Sequence, residues 1–249
     1  MFRLDGKVAL VTGAGQNIGA GIARVLATQG ATVIVNDYHL DRAERTVAEI
    51  AAAGGRARAL AFDVSDLDAV TAAVAEIAAR EGPVDILVNN AGTGGAVAPM
   101  MMAPFAKTPP EYWAQIIDVN LYGMMNCCKA VLDSMIARGW GRIITISSGA
   151  GQCGLDIGVS PYASAKDGQN SFMRHLAMEN GPFGITCNTI AMGLVLADAS
   201  RVQHLADAIP TRRLGRPEDP GYLAVYLASE EASWITGQTI GLNGGNLMV

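Results

Sequence analysis

Short apolar runs alternate along the chain with longer stretches in which apolar residues recur every three or four positions. The runs at residues 8–12 (VALVT), 32–36 (TVIVN), 57–62 (ARALAF), 84–89 (VDILVN), 142–147 (RIITIS) and 184–190 (GITCNTI) predict buried strands. Between them, stretches such as LDRAERTVAEIAAAG and LDAVTAAVAEIAAREG carry an apolar stripe and close on glycine, the usual helix stop. Strand, helix, strand, repeated, predicts an α/β fold: one doubly wound parallel sheet with helices on both faces. A last strand near GQTIGLN completes the sheet. No linker, low-complexity tract or internal repeat divides residues 1–249, so one domain is expected.

Composition narrows the function classes. Half of the 249 residues are apolar, enough for a sizeable core. The net charge of -5, with Lys and Arg scattered, argues against nucleic acid as a partner. The start MFRLDGKVALVTG has no signal-like apolar region, and no apolar stretch reaches the ~18 residues of a membrane span. A cytoplasmic protein without a membrane partner is the expectation. Cys127, Cys128, Cys153 and Cys187 form no Cys-x-x-Cys pair, and His39, His175 and His204 lie far apart, so neither a metal site nor a disulfide framework is expected. The thiols read as reduced and mostly buried.

In such a sheet ligands gather at the carboxyl ends of the strands. The first strand is followed by Gly13-Ala14-Gly15-Gln16-Asn17-Ile18-Gly19, whose small residues let backbone approach a pyrophosphate at a helix N-terminus. The second ends at Asp37, a carboxylate able to accept both hydroxyls of an adenosine ribose or, more plainly, to cap the helix near Leu40. Asp63-Val64, NNAG (residues 89–92) and Ser147-Ser148 follow the next three strands. Glycine-rich loops also serve plain turns, but five strand ends in order are much more specific.

These pieces, with VNLYG around Asn120, YASAK at residues 162–166 and the ending GRPEDPGYLAVYLASEEASWITGQTIGLNGG, resemble the short-chain dehydrogenase/reductase family over essentially the whole chain. The resemblance implies a single Rossmann-type domain, NAD or NADP as cofactor, a carbonyl/alcohol couple as substrate, and a dimer or tetramer. It places Gly13, Gln16, Asn17, Ile18, Asp37, Asp63, Val64, Asn90, Tyr162, Lys166 and Val195 at the cofactor, and Asn120, Ser148, Tyr162 and Lys166 in catalysis.

Residue chemistry points the same way. Hydride transfer at an alcohol carbon requires a proton transfer at its oxygen. Tyr162 fits that role if an ammonium lowers its pKa from about 10, and Lys166 stands one helical turn on. Tyr-x-x-x-Lys alone is often an ordinary surface pair. Ser148, fourteen positions upstream of Tyr162, would align the substrate oxygen; the resemblance of GRIITISS to the family's strand ending prefers it over Ser147, which it implies is structural. That spacing is one residue longer than the family's commonest and reads as a loop insertion. By resemblance, Asn120 would hold a water linking Lys166 to solvent.

Three departures stand out: Asn17 replaces a glycine, Met192 a proline, and Ala197 a threonine that often contacts the cofactor. Asn tolerates a left-handed backbone and caps helices, so the loop is expected to keep its shape. Met192 frees the backbone of a rigid turn. Asp37 would repel a 2′-phosphate, and neither Gln16 nor Tyr38 offers a positive charge, so NAD is expected.

The flanking segments 92–105, 149–158 and the substrate loop at about 192–212 are mostly apolar. Met100, Met101, Met102 and Met192 could shape a lipophilic site, or the Met run could be a subunit contact. A small hydrophobic secondary alcohol or ketone is the leading substrate class. A 3-oxoacyl-thioester reductase or 3-hydroxyacyl-CoA dehydrogenase is the alternative, although family docking arginines appear here as Gly139 and Phe183. A third reading is a catalytically inactive NAD-binding protein. The edge strand and apolar tail of ASWITGQTIGLNGGNLMV and an apolar-rich helical run at 111–135 predict two self-complementary interfaces, hence a homotetramer.

Overall fold

The computed structural model describes residues 1–92, 100–195 and 203–248. Seven parallel strands form one sheet: β1 (Val8–Val11), β2 (Thr32–Asp37), β3 (Arg56–Ala61), β4 (Ile86–Asn89), β5 (Gly141–Ser148), β6 (Ile185–Met192) and β7 (Thr239–Leu242). Their order is β3-β2-β1-β4-β5-β6-β7, so the winding reverses between β1 and β4. That reversal opens a crevice above the strand ends, where such sheets take ligands. The expected doubly wound fold is therefore the one observed.

The helices are α1 (Asn17–Thr28), α2 (Leu40–Ala52), α3 (Leu67–Arg80), α4 (Pro110–Ile117), α5 (Gly123–Arg138), α6 (Ser160–Asn180), α7 (Gln203–Ala208) and α8 (Asp219–Ala228). Strand alternation decides which core each side chain joins. Ala9, Val11, Val33, Val35, Ile144 and Ile146 pack under α1, α2 and α8. Val8, Leu10, Ile34 and Ile143 point the other way, to α3, α5 and α6. Each such aliphatic side chain fully withdrawn from water contributes about 1.5–3 kcal/mol. Cys127, Cys128 and Cys187 lie within the second core, where burial pushes their thiols up, Cys128 to about 12. They are inert there, whereas Cys153 is half-buried.

Several boundaries move. β6 runs on to Met192, which pairs with Ser148 on one side and Leu242 on the other. Met192 thus extends the ladder rather than freeing the backbone, because it has the N–H and the open φ that proline lacks. Helix α3 starts at a true cap, with Asp66 accepting from Ala69 N at 3.1 Å. Between α4 and α5 the helix widens into one π turn, Asp118–Tyr122, centred on the fully buried Asn120. Nothing in the hydrophobic pattern announces it.

Candidate active site

The loop after β1 is shaped by close backbone approach. A Cβ at Gly13 would stand 2.8 Å from Ala91 Cα, and one at Gly19 would stand 2.3 Å from Gly13 O. Asn90 fastens this arrangement, its Nδ2 donating to Thr12 O and Gly13 O, both at 2.9 Å. Asn17 takes a φ of 48°, the left-handed backbone expected of a residue standing in for glycine. It does not cap α1. Gln16, extended at φ -161°, occupies the cap position without a side-chain capping bond, because Asn17 is already the first helical residue. The first turn of α1 holds no acidic residue, so its free N–H groups can face an anion.

Asp37 sits at the end of β2, Oδ1 accepting from His39 N at 3.0 Å and Oδ2 from Gly15 N at 3.1 Å. It braces the glycine loop and turns the chain, while the cap position of α2 belongs to His39. Arg42 in the first turn of α2 also lines the crevice, its Cβ only 2.5 Å from where a Cβ on Gly15 would be. The sequence reading missed it, although a position five beyond Asp37 falls on the turn facing the loop. Asp63 accepts from Ser65 N and Oγ, and Val64 is buried over Gly123.

At the end of β5 three adjacent residues do three jobs. Ile146 O accepts from Lys166 Nζ at 2.8 Å. Ser147 Oγ donates to Lys166 O at 3.0 Å, the structural role expected of it. Ser148 Oγ accepts from Ala150 N at 3.2 Å and shares a hydrogen bond with Tyr162. Burial raises the Tyr162 pKa above its ordinary value, with the Ser148 hydrogen bond acting in the opposite direction. Burial also pushes the Lys166 ammonium down to about 7.

Lys166 Nζ is 5.6 Å from the centre of the Tyr162 ring and turned onto the strand, since a desolvated amine seeks a carbonyl. Asn120 Oδ1 and Lys166 Nζ come within 2.7 and 3.2 Å of the position a Cβ on Gly92 would take, so Gly92 lets the two side chains converge.

One groove of about 1070 Å³ joins these parts. Gly13, Gln16, Asn17, Ile18, Asp37, Asp63, Val64 and Asn90 line it together with Ser148, Tyr162, Lys166 and Val195. Asn120 lies buried behind this wall. Met100 and Met192 line the groove, whereas Met101 and Met102 are exposed. The wall is less apolar than the sequence implied: Glu111, Gln115 and Asp118 line it from one side of the α4 helix and the π turn. Their spacing of four and three was the available signal. The ends of the substrate loop are tied, with Gly215 N donating to Leu194 O at 3.0 Å and Val195 bridging Gly215. Ala197 lies outside the described residues. Among the described residues no group of His, Cys, Asp and Glu could hold a metal, and no helix is long and apolar enough to cross a membrane.

A glycine-walled anion cradle at the switch point, continuous with a half-buried Tyr and Ser beside a buried Lys, fits a nicotinamide dinucleotide and defines an oxidoreductase. Comparison with known proteins agrees. Residues 13–246 match the family model described as enoyl-(acyl carrier protein) reductase. The chain is 36% identical over 253 residues to a 7alpha-hydroxysteroid dehydrogenase of Escherichia coli, covering 99% of this chain and 96% of that protein. It resembles a gluconate 5-dehydrogenase from Burkholderia cenocepacia, solved with NADP and tartrate, at TM-score 0.89 and 34% identity over 98% of this chain and 96% of that one. A 3-oxoacyl-[acyl-carrier protein] reductase from Brucella melitensis with bound NAD gives TM-score 0.91 and 34% identity over 100% and 94%. The chain belongs to the short-chain dehydrogenase/reductase family, which binds a nicotinamide cofactor.

Proposed function

We propose that this oxidoreductase is an NAD(H)-dependent dehydrogenase acting on a hydrophobic secondary alcohol or the matching ketone. The observation that carries the cofactor preference is Asp37, whose two oxygens are held by Gly15 N and His39 N at the end of β2. A fixed carboxylate there favours ribose hydroxyls and repels a 2′-phosphate. Met100, Met192 and Leu194, which line the same groove as Ser148 and Tyr162, support the apolar substrate. The bound nicotinamide would take or give the hydride. Ser148 orients the substrate oxygen, Tyr162 moves its proton, and Lys166 with Asn120 lies behind the phenol.

Glu111, Gln115 and Asp118 favour a second reading in which the substrate is a polyol or sugar acid, as the name of the gluconate relative indicates for that protein. The thioester reductase is the weaker alternative. Gly139 serves as a left-handed helix stop and Phe183 is half-exposed, so neither position offers a docking charge.

NADH and NADPH titrations followed by fluorescence test the cofactor preference. NADH is expected to bind at least about tenfold more tightly, the equivalent of one pKa unit of repulsion. Asp37→Ser is expected to narrow the gap, helped by Arg42. Equal affinities in the wild type would reject the NAD assignment. A panel of cyclic alcohols, hydroxysteroids, polyols and 3-hydroxyacyl thioesters then sorts the substrate classes.

The enzyme is further proposed to be a cytoplasmic homotetramer. β7 closes one edge of the sheet, and Tyr122, Tyr222 and Trp234 are exposed large side chains. Light scattering at micromolar concentration should give about four times the chain mass, unchanged by salt if apolar contacts dominate. A stable monomer rejects both interfaces, and a dimer rejects one.

A further inference from the structure

After β7 the chain turns back at Asn243 and lies across the carboxyl ends of β5 and β6, the strands that carry Ser148 and Met192 as a register pair. Two glycines register how close it comes. Gly149 follows Ser148, and a Cβ there would stand 2.4 Å from Leu247 Cδ1 and 3.6 Å from Met192 O. Gly193 follows Met192, and a Cβ there would stand 2.7 Å from Asn243 Cα. Residues without a side chain leave room for the tail at both strand ends.

The tail is held in this course by its own turn. Asn243 O accepts from Asn246 N at 3.1 Å, with Gly244 and Gly245 between them both left-handed, at φ 65° and 87°. The Asn243 side chain uses both ends: Oδ1 accepts from Gly245 N and Nδ2 donates to Leu247 O, each at 2.9 Å. Thr211 N donates to Gly244 O at 3.2 Å, which ties the turn to the far end of the substrate loop. Chain ends are loose unless tied down in this way. The result leaves Met248 exposed and Leu247 half-buried over Gly149.

Gly149 opens the short turn Gly149–Gly151, which Ser148 Oγ caps by accepting from Ala150 N. At its other end Asn170 Nδ2 donates to Gly151 O at 3.3 Å. The seat of this turn therefore decides where Ser148 Oγ stands relative to Tyr162, with which it shares a hydrogen bond.

We propose that Leu247 is a positioning residue for the reaction: its side chain wedges against Gly149 and seats the turn so that Ser148 Oγ stays between Ala150 N and Tyr162, where it aligns the substrate oxygen. The inference rests on the dehydrogenase reading above.

Leu247→Ala removes the wedge and, with the best alcohol of the panel, should lower kcat about five- to tenfold while NADH affinity stays within about twofold. Leu247→Met, which keeps the volume, should restore kcat to within about twofold of wild type. In a Ser148→Ala background, Leu247→Ala should cost less than about twofold more, since the group it positions is already gone. A packing role would lower the melting temperature and multiply the two losses, which overturns the proposal. Wild-type kcat in a folded Leu247→Ala variant overturns it too, and either result leaves the dehydrogenase reading intact. A wild type that turns over no alcohol of the panel counts against that reading instead. Crystal structures of the wild type and Leu247→Ala give a readout independent of turnover: Ser148 Oγ displaced from Tyr162 in the variant supports the proposal, and an unmoved Ser148 overturns it.

Discussion

Tyr162→Phe is expected to lower kcat by about 10²-fold or more in both directions, the usual contribution of a general acid/base, with NADH affinity within about twofold of wild type. The phenol is half-buried, hydrogen-bonded with Ser148 and lines the groove, so the hydroxyl contributes proton transfer rather than binding. The pH dependence has a definite sign. A base must be deprotonated, and burial raises the Tyr162 pKa, so alcohol oxidation should climb with pH through the alkaline range. Ketone reduction needs the protonated phenol and should fall over the same range. The Phe variant should lose both trends. Residual activity above about a tenth of wild type would remove Tyr162 from its assigned role.

Asn17→Val should weaken NADH binding by about ten- to a hundredfold, because a β-branched residue at a φ of 48° carries roughly 1–3 kcal/mol of strain. Relieving it would swing the first turn of α1 away from the anion cradle. Asn17→Gly should stay within about tenfold of wild type, since glycine adopts the same backbone freely. Fluorescence titration of both variants decides the matter. Equal losses would mean that the side chain, and not the backbone angle, is what the site needs.

Much of this architecture is legible in the sequence for physical reasons. Alternation of Val8, Ala9, Leu10 and Val11 between two cores leaves an unmistakable strand, and the left-handed preference of Asn announces Asn17. The family resemblance of GRIITISS ranks Ser148 above Ser147, and in the structure Ser147 faces the helix backbone while Ser148 faces Tyr162. What stayed hidden depends on partners distant in the chain. The Asn120 turn is visible only with Gln169 across from it, 49 residues on. Arg42 acquires meaning only once Gly15 lies against it, and the polar wall of Glu111, Gln115 and Asp118 only once α4 overhangs the groove. The fate of the Lys166 ammonium depended on burial, which charge counting along the chain does not contain.

The three consecutive duties of Ile146, Ser147 and Ser148 bear on where this chain can change length. Neighbouring strand residues face opposite sides, so one residue inserted upstream within β5 would turn Ser148 from Tyr162 and shift the carbonyl that anchors Lys166. No single substitution would restore all three contacts. Past Ser148 the chain leaves the sheet and travels through residues 149–159 before α6 begins, and an added residue there need only lengthen the path. The path between serine and tyrosine can therefore lengthen without disturbing the site, while the strand before it behaves as a frozen ruler.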